Sequence, residues 1–318
     1  METPVGVKKL KIFSGSVNPA LAERIAAYIG KPLDGIDLMK FPDGEKFVQV
    51  HESIRGCDVF VIQSACKSPD EAYMELFIMI DALRRASAER ITAVLPYYGY
   101  ARQDRKDKPR VPITASLVAK LIEAAGANRV LCLDLHAAQI QGYFDIPVDH
   151  LHASPVFIKY LRGLNLPNPI IVSPDTGGVK TANWYSKRLG TGIGFVAKER
   201  RSGSDVEALN FVGDVEGKDV IMVDDLTSTC GTLIAAAKQC ADHGARSIHA
   251  AVTHGLLNET GLARLKASPI TELIVTDTVP QHEYAADARI TTLSVAELFG
   301  EAIRRIHNNE SVNSLFAI

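Results

Sequence analysis

The chain has 318 residues, of which 47% are hydrophobic and 23% are charged, and its formal net charge is −2. This composition is typical of a folded chain of about two domains, and it excludes wholesale disorder and a strongly basic nucleic-acid binder. No apolar run reaches the roughly 18 residues that cross a bilayer, and neither a secretion signal nor a C-x-x-C pair is present. We therefore expect a cytoplasmic protein with reduced thiols and without membrane or nucleic-acid partners.

Short runs rich in β-branched residues alternate with longer amphipathic segments along the chain. The predicted strands are Lys9–Phe13, Val59–Gln63, Ile91–Leu95, Arg129–Leu133, Ile170–Ser173, Ile193–Ala197, Asp219–Val223, Ser247–Thr253 and Glu272–Thr276. Such alternation predicts an α/β fold in which mostly parallel sheets are flanked by helices.

Three of the intervening helices carry signals at their ends. Ser68 begins a capping-box sequence with Pro69 at the first helical position. Thr114 is expected to begin a second helix that ends at Gly126. The face that this second helix is expected to bury consists of Leu117, Val118, Leu121 and Ile122. A third helix is predicted for Thr232–Asp242.

The stretch from Pro147 to Pro155 is the best linker candidate, because one complete αβ block precedes it and another follows it. We therefore predict an N-terminal domain over residues 1–150 and a C-terminal domain over residues 151–305. The tail, residues 306–318, ends in apolar residues, and we expect it to dock onto the first domain.

Polar residues follow several predicted strands, and in open parallel sheets ligands bind beyond the carboxyl ends of strands. In the most specific case, an apolar strand leads into Asp224 and Asp225, then into a loop of hydroxyls and glycine, then into a helix. Backbone N–H groups at a helix N-terminus bind anions, and paired carboxylates accept hydrogen bonds from vicinal hydroxyls. The segment suits a ribose 5-phosphate group, and the alternative is an acidic turn capped by threonine.

Three further segments carry weaker signals. The loop Arg102–Arg110 has five basic and two acidic residues, and it either meets a polyphosphate or is a solvated loop. His136 with Asp175 could hold a divalent metal, although a single histidine is more often structural. The stretch that begins Lys198-Glu199-Arg200 has the composition of a cationic lid or of an exposed basic loop. The chain lacks G-x-x-x-x-G-K-[ST] and G-x-G-x-x-G, so neither a P-loop nor a dinucleotide fingerprint is present.

Asp224–Thr232 resembles the phosphoribosyl pyrophosphate loop of type I phosphoribosyltransferase folds. Other segments resemble the class I ribose-phosphate pyrophosphokinase family, also called phosphoribosyl pyrophosphate synthetases. These segments are Phe41–Glu45, Met74–Leu76, Tyr100–Asp104, Asp134–Asp149, Ser173–Asp175, Thr253–Gly255 and Glu310–Phe316. The resemblance runs from about Phe13 to the C-terminus.

The resemblance implies two similar phosphoribosyltransferase-like domains and a Mg²⁺-dependent transferase for nucleotide biosynthesis. The implied reaction transfers the β,γ-diphosphoryl group of ATP to the C1 hydroxyl of ribose 5-phosphate, giving phosphoribosyl pyrophosphate and AMP. Such a reaction needs positioning and charge neutralisation more than covalent catalysis. The sequence shows no dedicated general base.

The resemblance assigns site residues by motif, and it implies that the Phe41 ring stacks on adenine. The implied ATP residues are Phe41, Asp43, Gly44, Glu45, Arg102, Gln103 and Asp104. The implied ribose 5-phosphate residues are Arg200, Asp224, Asp225, Ser228, Thr229, Cys230, Gly231 and Thr232. Asp175, Thr176, Gly177 and Gly178 match the pyrophosphate loop. Lys198 and Arg200 match the catalytic pair, and His136 and Asp175 match the magnesium positions.

Class I members form hexamers that phosphate activates and ADP inhibits at an inter-subunit site, so the resemblance implies a homohexamer with these regulators. The matching positions are Ser53, Arg55, Ser311, Val312, Asn313 and Phe316. Three residues depart from the family pattern, which usually has Asp at Ser228, Arg at Thr181 and Ser at Pro42. Ser228 can still donate to the 5-phosphate, so the departure there bears on the affinity for the sugar rather than on activity.

Three rival functions are considered, and the net charge disfavours one of them, a nucleic-acid binder. A phosphoribosyltransferase would consume the product, but it would pair one such domain with a base-recognition region, whereas this chain has two domains and the Arg102-Gln103 motif. A catalytically inactive regulatory homologue would have an interrupted lid or phosphate loop, and both segments are intact here.

Overall fold

The computed structural model describes residues 9–200, 207–280 and 289–316, with the side chains of 198–200, 207–209, 314 and 316 outside the description. The chain divides into two compact units. The first comprises Met1–His152, Thr278–Pro280 and Ser294–Ile318, and the second comprises Ala153–Asp277 and Gln281–Leu293. The sequence placed the boundary near 150, but it assigned residues 294–305 to the second domain, whereas the structure groups them with the first.

The first unit is built on a five-stranded, all-parallel sheet in the order β1-β4-β5-β6-β7, with a separate antiparallel pair β2-β3. Its elements are β1 (Leu10–Ser14), α1 (Pro19–Ile29), β2 (Ile36–Lys40), β3 (Lys46–Val50), β4 (Asp58–Ile62), α2 (Pro69–Arg85), β5 (Arg90–Leu95), α3 (Thr114–Ala125), β6 (Arg129–Leu133), a 3-10 turn (Ala138–Tyr143), β7 (Val148–Leu151), α8 (Ala296–His307) and a final 3-10 turn (Asn313–Phe316). Strand β4 is buried along its whole length, as expected for a parallel strand covered on both faces.

Helix α8 belongs to the first unit because its apolar face packs against α1. Phe299, Ala302 and Ile303 are fully buried. The contact is close at Gly300, where an added Cβ would lie 2.5 Å from Tyr28 Cδ1. This burial of one helical face explains why the segment after residue 293 joins the first unit.

A buried ion pair fixes the end of α8. Asp58 is fully buried and accepts from Arg90 Nε at 2.7 Å and from Arg90 Nη2 at 2.5 Å. His307 Nδ1 lies 2.8 Å from the same carboxylate, and Arg90 Nη2 also donates to the Ile306 carbonyl at 2.9 Å. The first residue of β4 therefore binds both β5 and the end of α8.

The second unit is built on a seven-stranded sheet in the order β10-β9-β8-β11-β12-β13-β14. Its elements are α4 (Ser154–Gly163), β8 (Pro169–Ser173), α5 (Val179–Leu189), β9 (Gly192–Arg200), β10 (Glu207–Val212), β11 (Asp219–Thr227), α6 (Gly231–Asp242), β12 (Ser247–Gly255), α7 (Glu259–Lys266), β13 (Glu272–Thr276) and β14 (Ile290–Leu293). All neighbours pair parallel except β9 and β10, which form an antiparallel pair. The predicted α/β class is therefore confirmed, and each predicted strand corresponds to one in the sheets.

Four local predictions are corrected. Pro147–Pro155 contains the boundary between the units, after His152, but most of it is β7 and the first two residues of α4 rather than irregular linker. Strand β9 continues through Arg200, since it pairs with β10. Leu117 and Leu121 are 54% and 41% exposed, because α3 buries a face of Ala115, Val118, Ala119 and Ile122 instead. Ser68 precedes α2 without capping it through its side chain.

None of the helices in the described ranges combines the length and apolarity that a membrane span requires.

Asp58→Ala is expected to lower the free energy of unfolding by roughly 3–5 kcal/mol, because it leaves the partly buried Arg90 guanidinium without its carboxylate. Asp81→Ala is the matched control, since its pair with Arg85 is exposed on α2 and such pairs are worth about 1 kcal/mol or less. The midpoint of urea unfolding measures both variants. Equal midpoints for the two variants would show that the buried pair does not anchor the end of α8.

Candidate functional site

The order of the second-unit sheet reverses next to β8. The chain places β9 on one side of β8 and then crosses to place β11 on the other side. In an open parallel sheet such a reversal leaves a crevice at the carboxyl ends of the two strands, where ligands bind. The loops that follow β8 and β11 carry the predicted pyrophosphate and sugar residues, so topology and sequence indicate the same edge of this sheet.

Two adjacent carboxylates lie near the end of β11. Asp224 and Asp225 are half-buried, and the Asp225 N–H donates to Asp224 Oδ1 at 2.9 Å. Burial raises the pKa of Asp224 to about 8, with further contributions from the charge and side-chain hydrogen bond of Asp225 and the charge of Asp175. Asp224 therefore keeps a proton near neutral pH unless a cation or hydroxyl donors stabilise its charged form.

The phosphate loop, which we define as Thr227–Gly231, connects β11 to α6. Cys230 has φ +55°, in the left-handed region that residues other than glycine seldom adopt. Its side chain is buried in the core of the unit, and burial raises the pKa of its thiol. Cys230 can therefore offer a ligand only its backbone. The loop ends at the N-terminus of α6, where the helix dipole favours an anion.

The Asp175–Gly178 loop is a tight turn between β8 and α5. Asp175 Oδ1 accepts from Gly177 N at 2.8 Å and from Gly178 N at 3.1 Å, and Ser173 Oγ donates to the Asp175 carbonyl at 2.6 Å. A Cβ at Gly178 would lie 2.6 Å from Ser173 Oγ, so the turn requires glycine there. Thr176 is exposed between these residues. The turn therefore orients the Asp175 carboxylate through one of its two oxygens.

Lys198 and Arg200 lie on β9, with their backbones paired to Leu209 and Glu207 of β10. Their side chains lie outside the described part of the chain, as do all of residues 201–206 of the predicted lid.

In the first unit, Phe41–Glu45 forms the turn between β2 and β3. Gly44 has φ +95°, and Asp43 Oδ1 accepts from Glu45 N at 3.2 Å. The Phe41 ring is 50% exposed and packs edge-on against Phe47, with the ring centroids 5.7 Å apart. An exposed ring held at a turn can stack on a base. Gly44 and Glu45 also line a surface depression of about 640 Å³ beside α2.

The predicted Arg102–Asp104 segment divides into two exposed residues and one buried residue. Arg102 and Gln103 are exposed, and Thr114 Oγ1 donates to Gln103 Oε1 at 2.5 Å. Asp104 is 8% exposed and accepts from Gln139 Nε2 at 3.0 Å, so its contacts are structural in this state. Arg102 and Gln103 are therefore better placed to meet a ligand than Asp104.

His136 is exposed just after β6, beside a group of possible metal ligands. That group is Asp134, His150 and His152, with His152 Nδ1 2.9 Å from Asp134 Oδ1. This hydrogen bond raises the pKa of His152. His150 Nε2 accepts from Leu135 N at 2.9 Å, which commits one of its ring nitrogens. Two imidazoles and one carboxylate suit a softer metal than Mg²⁺.

The predicted regulatory residues lie in two segments of the first unit. Ser53 and Arg55 are exposed between β3 and β4. The Ser311 carbonyl accepts from Arg305 Nη1 at 3.1 Å, and Ser311 Oγ accepts from Asn313 N at 3.2 Å. Val312 is half-buried, and the Phe316 side chain lies outside the description.

Two residues that the sequence analysis did not single out contact the phosphate loop. Gly261 lies against the Ser228 carbonyl, and Arg264 donates to the Thr229 carbonyl. Both come from α7, and Arg264 is 35 residues along the chain from its partner Thr229, so no local sequence signal marks such a contact.

The chain is similar to known proteins over almost its full length. Residues 10–126 match the N-terminal domain of ribose phosphate pyrophosphokinase, and residues 203–317 match a phosphoribosyl synthetase-associated domain. Ribose-phosphate pyrophosphokinases from Caldanaerobacter subterraneus and Campylobacter jejuni are 51% and 50% identical, each over 96% of this chain and 98% of the relative. A crystal structure of phosphoribosylpyrophosphate synthetase from Mycobacterium smegmatis superposes with a TM-score of 0.90 at 40% identity, covering 95% of this chain and 100% of that chain.

Asp224→Asn is expected to stabilise the protein in a pH-dependent way. A carboxyl with a higher pKa in the fold than in the unfolded chain costs stability that grows as pH rises above about 4 and levels off above about 8. The variant is neutral and keeps an oxygen for the Asp225 N–H. We expect a gain of at least about 1 kcal/mol at pH 8 and almost none at pH 4, measured by scanning calorimetry. A gain that does not change with pH would contradict the elevated pKa.

Proposed function

The chain belongs to the ribose-phosphate pyrophosphokinase family, and from this membership we propose that it transfers the β,γ-diphosphoryl group of ATP to ribose 5-phosphate. The products are phosphoribosyl pyrophosphate, which supplies nucleotide biosynthesis, and AMP. The new bond joins the C1 oxygen to the β-phosphorus, and the bond from that phosphorus to the oxygen shared with the α-phosphate breaks.

The proposal rests mainly on one observation. Asp224 and Asp225 are followed by the phosphate loop, at the edge of the sheet where the strand order reverses. Asp224 and Asp225 would accept hydrogen bonds from the ribose hydroxyls. The phosphate loop and Thr232 would donate N–H and O–H groups to the 5-phosphate. Ser228 supports the same role as a hydroxyl donor, although the family usually has a carboxylate there. One end of the site thus selects a diol and the other a phosphate.

Mg²⁺ fits the donor chemistry of the second unit. Asp175 offers a second carboxylate oxygen beyond the one held by two N–H groups, and its charge contributes, after burial and Asp225, to the raised pKa of Asp224. Oxygen ligands and neighbouring phosphates are what Mg²⁺ prefers. Asp175 would hold the ion in the second unit, where the ion supplies charge neutralisation on the phosphate oxygens when bound. His136 is proposed as a magnesium ligand of the first unit from its motif match. Asp175–Gly178 would bind the diphosphoryl group through its N–H groups.

ATP would be held by residues of the first unit. The exposed Phe41 ring would stack on adenine, while Arg102 and Gln103 would bind polar atoms of the nucleotide, with Asp43 and Glu45 at the same turn as Phe41. Asp104 would act by holding this segment rather than by direct contact. Lys198 and Arg200 would neutralise charge that develops on the transferring group, which is the main demand of diphosphoryl transfer.

We also propose self-association into a homohexamer, with phosphate as an activator and ADP as an inhibitor at the Ser53, Arg55 and Ser311–Phe316 positions. Large apolar side chains exposed on the first unit support self-association. They are Met39, Met74, Leu117 and Leu121. All five cysteines are unpaired thiols, which supports a reducing, cytoplasmic location.

The function is tested by ³¹P NMR of the protein with ATP, ribose 5-phosphate and Mg²⁺. We expect equal amounts of AMP and phosphoribosyl pyrophosphate, and no reaction with excess chelator. ADP or free pyrophosphate as the only product would contradict diphosphoryl transfer. No turnover would favour an inactive homologue, and consumption of added phosphoribosyl pyrophosphate with a free base would indicate a phosphoribosyltransferase.

Lys198→Ala and Arg200→Ala are expected to lower kcat by on the order of 10²–10³, with much smaller changes in either KM, because they remove charge that acts on the transition state. Lys238→Ala is the control, since Lys238 is an exposed residue on α6. Steady-state kinetics at saturating substrates measures all three. A wild-type kcat in both Lys198→Ala and Arg200→Ala would show that neither side chain contributes to catalysis.

A further inference from the structure

We propose that Gly261 and Arg264 of α7 are positioning residues that hold the backbone of the phosphate loop in the shape that binds the sugar 5-phosphate. The inference rests on the proposed function, since it assigns the loop to ribose 5-phosphate. It concerns residues that touch the loop from behind rather than the substrate itself.

Three successive carbonyl groups of the loop face the segment that follows β12. The Thr227 carbonyl accepts from Leu256 N at 2.8 Å. The Ser228 carbonyl lies against Gly261, and the Thr229 carbonyl accepts from Arg264 Nη1 at 3.3 Å. All three contacts come from residues 256–264, so this segment lies behind the loop.

In a planar trans peptide the C=O and N–H bonds point in opposite directions. The peptide groups that contain these three carbonyls carry the N–H groups of Ser228, Thr229 and Cys230. Those three N–H groups therefore point away from the 256–264 segment, toward one side of the loop. Successive N–H groups on one side form an anion-binding concavity, and here its shape depends on how the carbonyls are held.

Gly261 is the closest of these contacts. An added Cβ would lie 2.2 Å from the Ser228 carbonyl oxygen and 3.2 Å from its carbon, so the loop or the helix would have to move. The backbone of Gly261 is helical, a conformation that any residue adopts, so the contact and not the dihedral angle requires glycine. Asn258 Oδ1 accepts from Gly261 N at 2.8 Å, so Asn258 caps the first turn of α7, in which Gly261 lies.

Gly261→Ala is expected to raise KM for ribose 5-phosphate by on the order of tenfold or more, because it displaces the Ser228 peptide from its binding geometry. KM for ATP is expected to stay within about twofold, since the loop serves the sugar. Gly163→Ala is the matched control, because Gly163 is also helical in the second unit and a Cβ there meets nothing within 4 Å. Thermal melting is measured in parallel, and the control Gly163→Ala should not lower the melting temperature, because alanine is a better helix former than glycine.

Arg264→Ala is a second variant at an exposed side chain, so it tests the proposal even if Gly261→Ala fails to fold. We expect KM for ribose 5-phosphate to rise several-fold and to be partly restored in Arg264→Lys, which keeps a donor for the Thr229 carbonyl. Wild-type KM for the sugar in both Gly261→Ala and Arg264→Ala, or equal changes for sugar and ATP, would overturn the proposal. An inactive wild-type protein would instead contradict the proposed function, so the two failures are distinguishable.

Discussion

The burial of one carboxylate beside two others at an edge of the second-unit sheet is the constraint on which the rest of the site depends. Burial is the main cause that raises the pKa of Asp224 to about 8, with smaller contributions from the adjoining Asp225 and from the charge of Asp175 in the loop after β8. Such a cluster costs stability in the empty protein. It is tolerated where a ligand brings hydroxyl donors and a cation, and a sugar phosphate with Mg²⁺ brings both.

Close and strained contacts gather around the same edge. Cys230 is held in a left-handed conformation, and Gly178 and Gly261 leave no room for a side chain. Backbone groups, rather than long side chains, shape the two turns that we propose bind anions, and their geometry is set by what packs behind them. Residues that contact a loop from behind, such as those of α7, are therefore expected to affect ligand affinity without touching the substrate.

The sequence predicted the features that are local along the chain. Strands such as Arg129–Leu133 were predictable because a buried parallel strand is a continuous apolar run, and the segment from Asp224 to Thr232 was predictable because it is contiguous. The role of Gly261 depends on a contact between distant segments. Strand β10 was not predicted because it depends on pairing with β9, which is a tertiary contact. The exposure of Leu117 depends on which face of α3 packs against the sheet. The end of α8 is held in the first unit by Asp58 and Arg90, and the sequence does not indicate that these residues contact Ile306 and His307.

The most direct test of the central claim is ¹³C NMR of aspartate carboxyls as a function of pH, with Asp224→Asn to assign the resonance. We predict one carboxyl that titrates near pH 8 in the ligand-free protein and that is missing from the variant. With ribose 5-phosphate and Mg²⁺ its transition should move to lower pH, because hydrogen bonds to the charged form and a nearby cation stabilise it. If no carboxyl titrates above pH 6, or if the ligand leaves the titration of Asp224 unchanged, the account of this site is contradicted.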